Sequence, residues 1–123
     1  MTGWLDVMKL AHPKCMVTAE DVEKGKPDPA CYRLGAQRAG FANTEPSRIL
    51  VLEDSPAGVR AGKEAGYKVV ALATTHGIDR LREAGADWIV KDMCSVTMAG
   101  WNSKEGKIEI EVRDGLVIRE LLN

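Results

Sequence analysis

At 123 residues, 45% hydrophobic and 28% charged, the chain has the composition of one ordinary globular domain able to bury a core, which excludes a disordered chain. Seventeen basic residues face eighteen acidic ones, with a net charge of -1 and no long block of either sign. That excludes a phosphate-tracking nucleic-acid surface or a polybasic membrane patch and favours a small, specific ligand.

The first segment, Met1 to Leu10, interrupts its apolar positions with Asp6 and Lys9 and lacks a signal-peptide core. Cys15 to Thr18 reads as a short strand, followed by the loop Lys24-Gly25-Lys26-Pro27-Asp28-Pro29. Asp28 before Pro29 has the form of a helix cap with proline at the first turn, and Gly40 marks the end of that helix near Ala39. Arg48 to Leu52 is apolar after its first residue without alternation, as for a parallel strand covered on both faces, and Glu53 and Asp54 end it. Ser55-Pro56 repeats the cap signal for a helix reaching Gly66, with Ala57, Ala61 and Ala65 beside Gly58 and Gly62 on a face small enough for close packing. Lys68 to Ala73 reads as a buried strand, Ile78 to Ala84 as a short helix and Asp87 to Val90 as a last short strand. This alternation predicts an α/β fold with a parallel sheet. In the tail, Ile108, Ile110 and Val112 alternate with charged residues, and Asp114-Gly115 predicts a β-hairpin over about 106–120 with Leu116 to Ile118 as the returning strand.

Ligands of open parallel sheets bind beyond the carboxyl ends of the strands. Glu53 and Asp54 stand at such an end, beside a helix start. Two readings stay open there: an exposed acidic pair that caps the helix, or a hard oxygen site for Mg²⁺, which takes one or two protein carboxylates and fills its shell with water and phosphate. Two readings stay open for Lys26 as well, in a stiff X-Pro loop 27 positions before Glu53: a solvated loop lysine, or an ammonium aimed at a phosphoryl group, for which Lys24 is an equal candidate by composition.

The runs Val17-Thr18-Ala19-Glu20-Asp21-Val22 to Gly25-Lys26-Pro27-Asp28-Pro29, and Val51-Leu52-Glu53-Asp54-Ser55-Pro56-Ala57-Gly58-Val59-Arg60-Ala61-Gly62, resemble motifs III and IV of the haloacid dehalogenase-like hydrolase superfamily. Ala71 to His76, Gly85 to Asp92 and the tail are most similar to its fungal glycerol-3-phosphatase and 2-deoxyglucose-6-phosphate phosphatase group. The resemblance implies an incomplete three-layer α/β/α Rossmann-like core with a C-terminal hairpin, forming one partial domain over residues 1–123. It also implies a Mg²⁺-dependent phosphatase of small sugar or polyol phosphates. By resemblance Lys26 holds the phosphoryl group, Asp54 is the magnesium ligand, and Glu53 is its acidic neighbour, ligating directly or through water. The family's DxDxT nucleophile motif, its cap and its motif II are not found in the 123 residues, so the resemblance covers the carboxyl-terminal part of such an enzyme. Inactivity in isolation is the expectation.

The competing reading is a truncated or degenerate member that acts, if at all, by associating with another chain. A receiver-like module is disfavoured, because its phosphate-accepting aspartate should end an earlier strand and the run before Lys26 ends in Thr18. His12 and His76 lie in no metal-spaced pair. Cys15, Cys31 and Cys94 form neither a disulfide framework nor a CxxC site, which fits a reducing cytoplasm. Cys15 and Cys31 are expected to pack as small apolar groups, and Trp4, Trp88 and Trp101 to bury area. The expected partner is a small phosphorylated metabolite, with no nucleic acid and no membrane.

Overall fold

The structure, a computed structural model, describes residues 15–102, 104 and 107–118. The expectations for Met1 to Leu10, Trp4 and His12 lie outside the described residues. A four-stranded sheet runs in the order β1 (Leu50–Glu53), β2 (Lys68–Leu72), β3 (Trp88–Val90), β6 (Val117–Ile118). The first three strands are parallel, with Leu50 opposite Lys68 and Val70 opposite Trp88, while β6 joins β3 antiparallel. Among the described residues three helices, α1 (Ala30–Arg38), α2 (Pro56–Glu64) and α3 (Ile78–Glu83), alternate with these strands. α2 packs on β1 and β2, α3 packs on β3, and α1 flanks α2.

The cap expected at Ser55 starts α2, whereas α1 begins at Ala30 with Pro29 at the cap position and Asp28 just before it. Asp28 Oδ1 accepts from the Ala30 amide at 2.9 Å, and Ser55 Oγ accepts from the Gly58 amide at 3.1 Å, satisfying donors that the first turn leaves free. Gly40 and Gly66 both adopt positive φ, the left-handed conformation that glycine takes without a Cβ clash. The small face of α2 serves close packing as expected. A Cβ on Gly62 would stand 2.8 Å from Val69 Cγ2, so only glycine lets the helix lie this near β2. Val59, Val69, Ala71, Leu81 and Ile89 form the fully buried centre. Buried Asp87 ties the layers together, accepting from Lys63 Nζ at 2.9 Å and from the Val69 amide at 2.8 Å.

The structure corrects four expectations. Cys15 to Thr18 forms no strand: a strand exists only where a neighbour completes its ladder, and among the described residues this segment has none. It is held instead at α1, where Arg38 Nη1 donates to the Met16 carbonyl. β1 is covered on one face only. Val51 and Glu53 are buried but Leu52 between them is 42% exposed, because β1 lies at the edge of the sheet. The predicted hairpin exists with different partners. β5 (Lys107–Val112) pairs antiparallel with β4 (Val96–Asn102), not with Leu116 to Ile118. Asp114, at positive φ, turns the chain back, and the Leu116 amide reaches the Ile89 carbonyl at 2.7 Å, so the tail closes the open edge of β3. β4 and β5 share six paired positions, while the tail segment pairs at two positions with β3. Finally, Cys15 and Trp101 are exposed, the latter at 61%, since neither lies over the sheet core. Among the described residues no helix is long and apolar enough to cross a membrane.

Candidate active site

Three loops converge at the carboxyl end of the sheet. The loop before α1 brings Lys26, the end of β1 brings Glu53 and Asp54, and the loop after β2 brings Thr75 and His76. Lys26 Nζ donates to Glu53 Oε2 at 2.8 Å, and the Tyr32 hydroxyl, from the first turn of α1, donates to the same oxygen. The other carboxylate oxygen, Oε1, accepts from the amides of Asp54 at 3.0 Å and Ser55 at 3.3 Å and from Ser55 Oγ at 3.3 Å. Glu53 is thus a buried anion surrounded by donors at the start of α2, where the helix dipole favours negative charge.

Burial alone would raise the Glu53 pKa. The hydrogen bonds from Lys26 and Tyr32 outweigh it and hold the carboxyl down at about 2, against an ordinary 4.5. Burial, with the Glu53 carboxylate beside it, pushes the Tyr32 phenol far above its usual range, so it stays a donor at neutral pH. Gly58 makes this arrangement possible. A Cβ there would fall 1.9 Å from Glu53 Cδ, so any side chain at 58 would evict the carboxylate.

Lys26, 41% exposed, keeps one side to solvent. Asp54 behaves differently from its neighbour. Its side chain is exposed, and Oδ2 accepts from Thr75 Oγ1 at 3.4 Å. His76 Nδ1 lies 3.1 Å from the Asp54 carbonyl and 3.0 Å from Thr75 Oγ1. The two adjacent carboxylates therefore point into separate networks. Asp54 offers the exposed hard-oxygen donor that Mg²⁺ takes from a single carboxylate, completing its shell with water and phosphate, so this donor fits the ion. Glu53 is filled by donors on both oxygens and as placed does not. Among the described residues no group of three or more His, Cys, Asp or Glu could hold a metal by itself.

Sequence reasoning singled out Lys26, Glu53 and Asp54, and all three stand at this end of the sheet. It missed Tyr32 and Thr75 and set His76 aside. Thr75 and His76 follow the carboxyl end of β2, a position that itself marks ligand-facing loops. Tyr32 carried no comparable signal, because an aromatic one turn into a helix reads as core. Lys24, the rival lysine, lines an open cleft of about 730 Å³ with Gly25, Pro27, Arg60 and Glu64, and Lys26 does not line it.

The haloacid dehalogenase-like hydrolase family matches residues 8–66. Glycerol-1-phosphate phosphohydrolase 1 of Saccharomyces cerevisiae is 39% identical over 121 residues, which is 95% of this chain and 48% of that protein. The 2-deoxyglucose-6-phosphate phosphatase 2 of the same yeast is 31% identical over 120 residues, 93% of this chain and 48% of that protein. Among solved structures, a putative beta-phosphoglucomutase from Bacteroides vulgatus superposes with a TM-score of 0.67 at 31% identity, covering 76% of this chain and 38% of that one. The chain spans about half the length of the curated relatives it matches. Its motifs, its parallel sheet and these relatives agree: the chain belongs to the haloacid dehalogenase-like hydrolases.

Proposed function

We propose that the chain is the lysine- and magnesium-bearing part of a phosphatase that acts on small sugar or polyol phosphates. The observation that carries this reading is the Lys26–Glu53 contact at 2.8 Å at the carboxyl end of the sheet, with exposed Asp54 next in the chain. It is supported by relatives named for hydrolysis of glycerol phosphate and 2-deoxyglucose 6-phosphate. Lys26 takes the phosphoryl oxygens, and Glu53 keeps its ammonium at that end of the sheet. Asp54 holds a magnesium ion which, when bound, offsets the charge of the phosphoryl group. We assign Glu53 to Lys26 first and to the ion only through solvent. Three unpaired cysteines support a reducing, cytoplasmic setting.

The attacking aspartate of the family's DxDxT motif is not among these 123 residues. Charge stabilisation cannot replace the carboxylate that forms the covalent intermediate, so the chain alone does not turn over. A second reading, a non-catalytic member acting through association with another chain, is favoured by the edge of β1, which no strand among the described residues pairs, beside exposed Leu52. One experiment separates the two. The purified chain is assayed on glycerol phosphate beside a chimera in which it replaces the matching half of the yeast glycerol-1-phosphate phosphohydrolase 1. The expected result is no turnover by the chain alone, and magnesium-dependent hydrolysis by the chimera that Lys26→Ala or Asp54→Ala abolishes. A folded but inactive chimera overturns the phosphatase reading, and turnover by the chain alone overturns the assignment of the nucleophile to residues outside it.

A further inference from the structure

The Tyr32 ring lies under the Lys26 ammonium, with Nζ 5.1 Å from the ring centroid, while the Tyr32 hydroxyl donates to the Glu53 oxygen that Lys26 also binds. We propose that Tyr32 is a positioning residue for Lys26, its ring carrying the ammonium and its hydroxyl sharing the Glu53 carboxylate. This rests on the reading of Lys26 as the cation that meets the phosphoryl group.

A lysine on a flexible stem, tethered by one ion pair at a partly exposed site, is weakly held. A second carboxylate would hold it more firmly but would neutralise the charge that a phosphate needs. An aromatic face avoids that conflict, because it attracts the ammonium through its quadrupole and carries no net charge. One of the three ammonium donors goes to Glu53, which leaves donors for an incoming oxygen. The Tyr32 hydroxyl fills the remaining capacity of Oε2 and so limits how far the carboxylate draws Lys26 onto itself. The two partners sit on one hydrogen-bonded segment. Asp28 N donates to the Gly25 carbonyl at 3.0 Å, Asp28 Oδ1 caps the Ala30 amide, and Tyr32 N donates to the Pro29 carbonyl at 3.1 Å. The turn that carries Lys26 and the first turn of α1 are therefore joined by consecutive hydrogen bonds.

The test is NMR of the full chain labelled at lysine, with Tyr32→Phe and Tyr32→Leu, titrated with inorganic phosphate. In the wild type the ring shifts the Lys26 side-chain methylene protons upfield from the unstructured-lysine position. Tyr32→Leu should abolish that shift, and Tyr32→Phe, which keeps the ring and its packing, should retain it. Phosphate affinity read on the same resonance should fall roughly two- to fivefold in Tyr32→Leu, the span of an exposed cation–π contact, and by a smaller factor in Tyr32→Phe. A purely structural tyrosine would leave the Phe variant unchanged in both readouts. Lys26 protons at the unstructured position in the wild type overturn the proposal, as does phosphate affinity unmoved in Tyr32→Phe. Should Tyr32→Leu not fold, the wild-type shift and the Phe affinity decide. If phosphate binds Lys26→Met as well as wild type, the phosphoryl reading of Lys26 falls, and the ring-current shift alone decides whether Tyr32 positions the lysine.

Discussion

The parallel sheet and the β4–β5 ribbon draw on the same kinds of apolar residue and meet opposite fates. In β2 and β3, Val69, Val70, Ala71 and Ile89 are fully buried, because helices pack over the strands and close side-chain contacts surround each residue. In the ribbon, Val96 faces Val112, Met98 faces Ile110 and Trp101 faces Ile108, so the pairing aligns an apolar face, yet Met98 is 68% exposed and Ile108 and Ile110 are exposed as well. The register shift between Met98 and Gly100 restores Trp101 to the side of Met98, where strict alternation over three residues would have turned it away. Cross-strand pairing thus builds an apolar face, but only a second layer buries it. A two-stranded ladder alone is marginal in water, and this one is anchored at its base where Arg113 N donates to the Ser95 carbonyl at 2.7 Å.

The sharpest way to break the contrast is to remove a side chain from each region and compare the losses. Leu81→Ala, at a fully buried position of α3, should destabilise the chain by about 2–5 kcal/mol in urea unfolding, through lost burial and the cavity left behind. A loss under about 1 kcal/mol would mean that the sheet layer is no better packed than the ribbon.

An intermediate effect is expected at the carboxyl end of the sheet. The folded Glu53 carboxyl titrates at about 2, below its ordinary 4.5, so its ionised form stabilises the fold above pH 4.5 and that contribution is lost as pH falls from 4.5 toward about 2. Glu53→Gln should destabilise by about 1–2 kcal/mol at pH 7, a figure discounted for the 41% exposure of Lys26. The gap between wild type and variant should narrow as pH is lowered through that window. Parallel stability curves from pH 7 to pH 2.5 would contradict the donor network drawn around Glu53.

The smallest effect belongs to the ribbon. Trp101→Ala removes the largest side chain type in the protein but should change stability by no more than about 0.5 kcal/mol, because the residue is mostly exposed already. A thermal shift as large as that of Leu81→Ala would show that Trp101 is covered in solution and would erase the distinction between the two regions.

Local signals were enough to place each element that carries its own marks. Ser55-Pro56 and Asp28-Pro29 announce helix starts, since caps depend on neighbours within three residues, and the apolar run before Glu53 announces a strand end. The same locality put Glu53 and Asp54 within reach of the reading, because a strand end can be counted along the chain, whereas Lys26 was preferred to Lys24 only through the resemblance to motif III. What the sequence could not determine were matters of partner choice. Cys15 to Thr18 has strand letters and no ladder; Lys107–Val112 has an alternating pattern that says nothing of which strand it will pair with; Glu53 and Asp54 are adjacent in the chain yet diverge into separate networks. Tyr32 became part of the site only because α1 brings its ring beneath a lysine six positions earlier and its hydroxyl to a carboxylate 21 positions later. Burial, strand pairing and the aim of a side chain are properties of what lies across space, and they are decided when the layers pack.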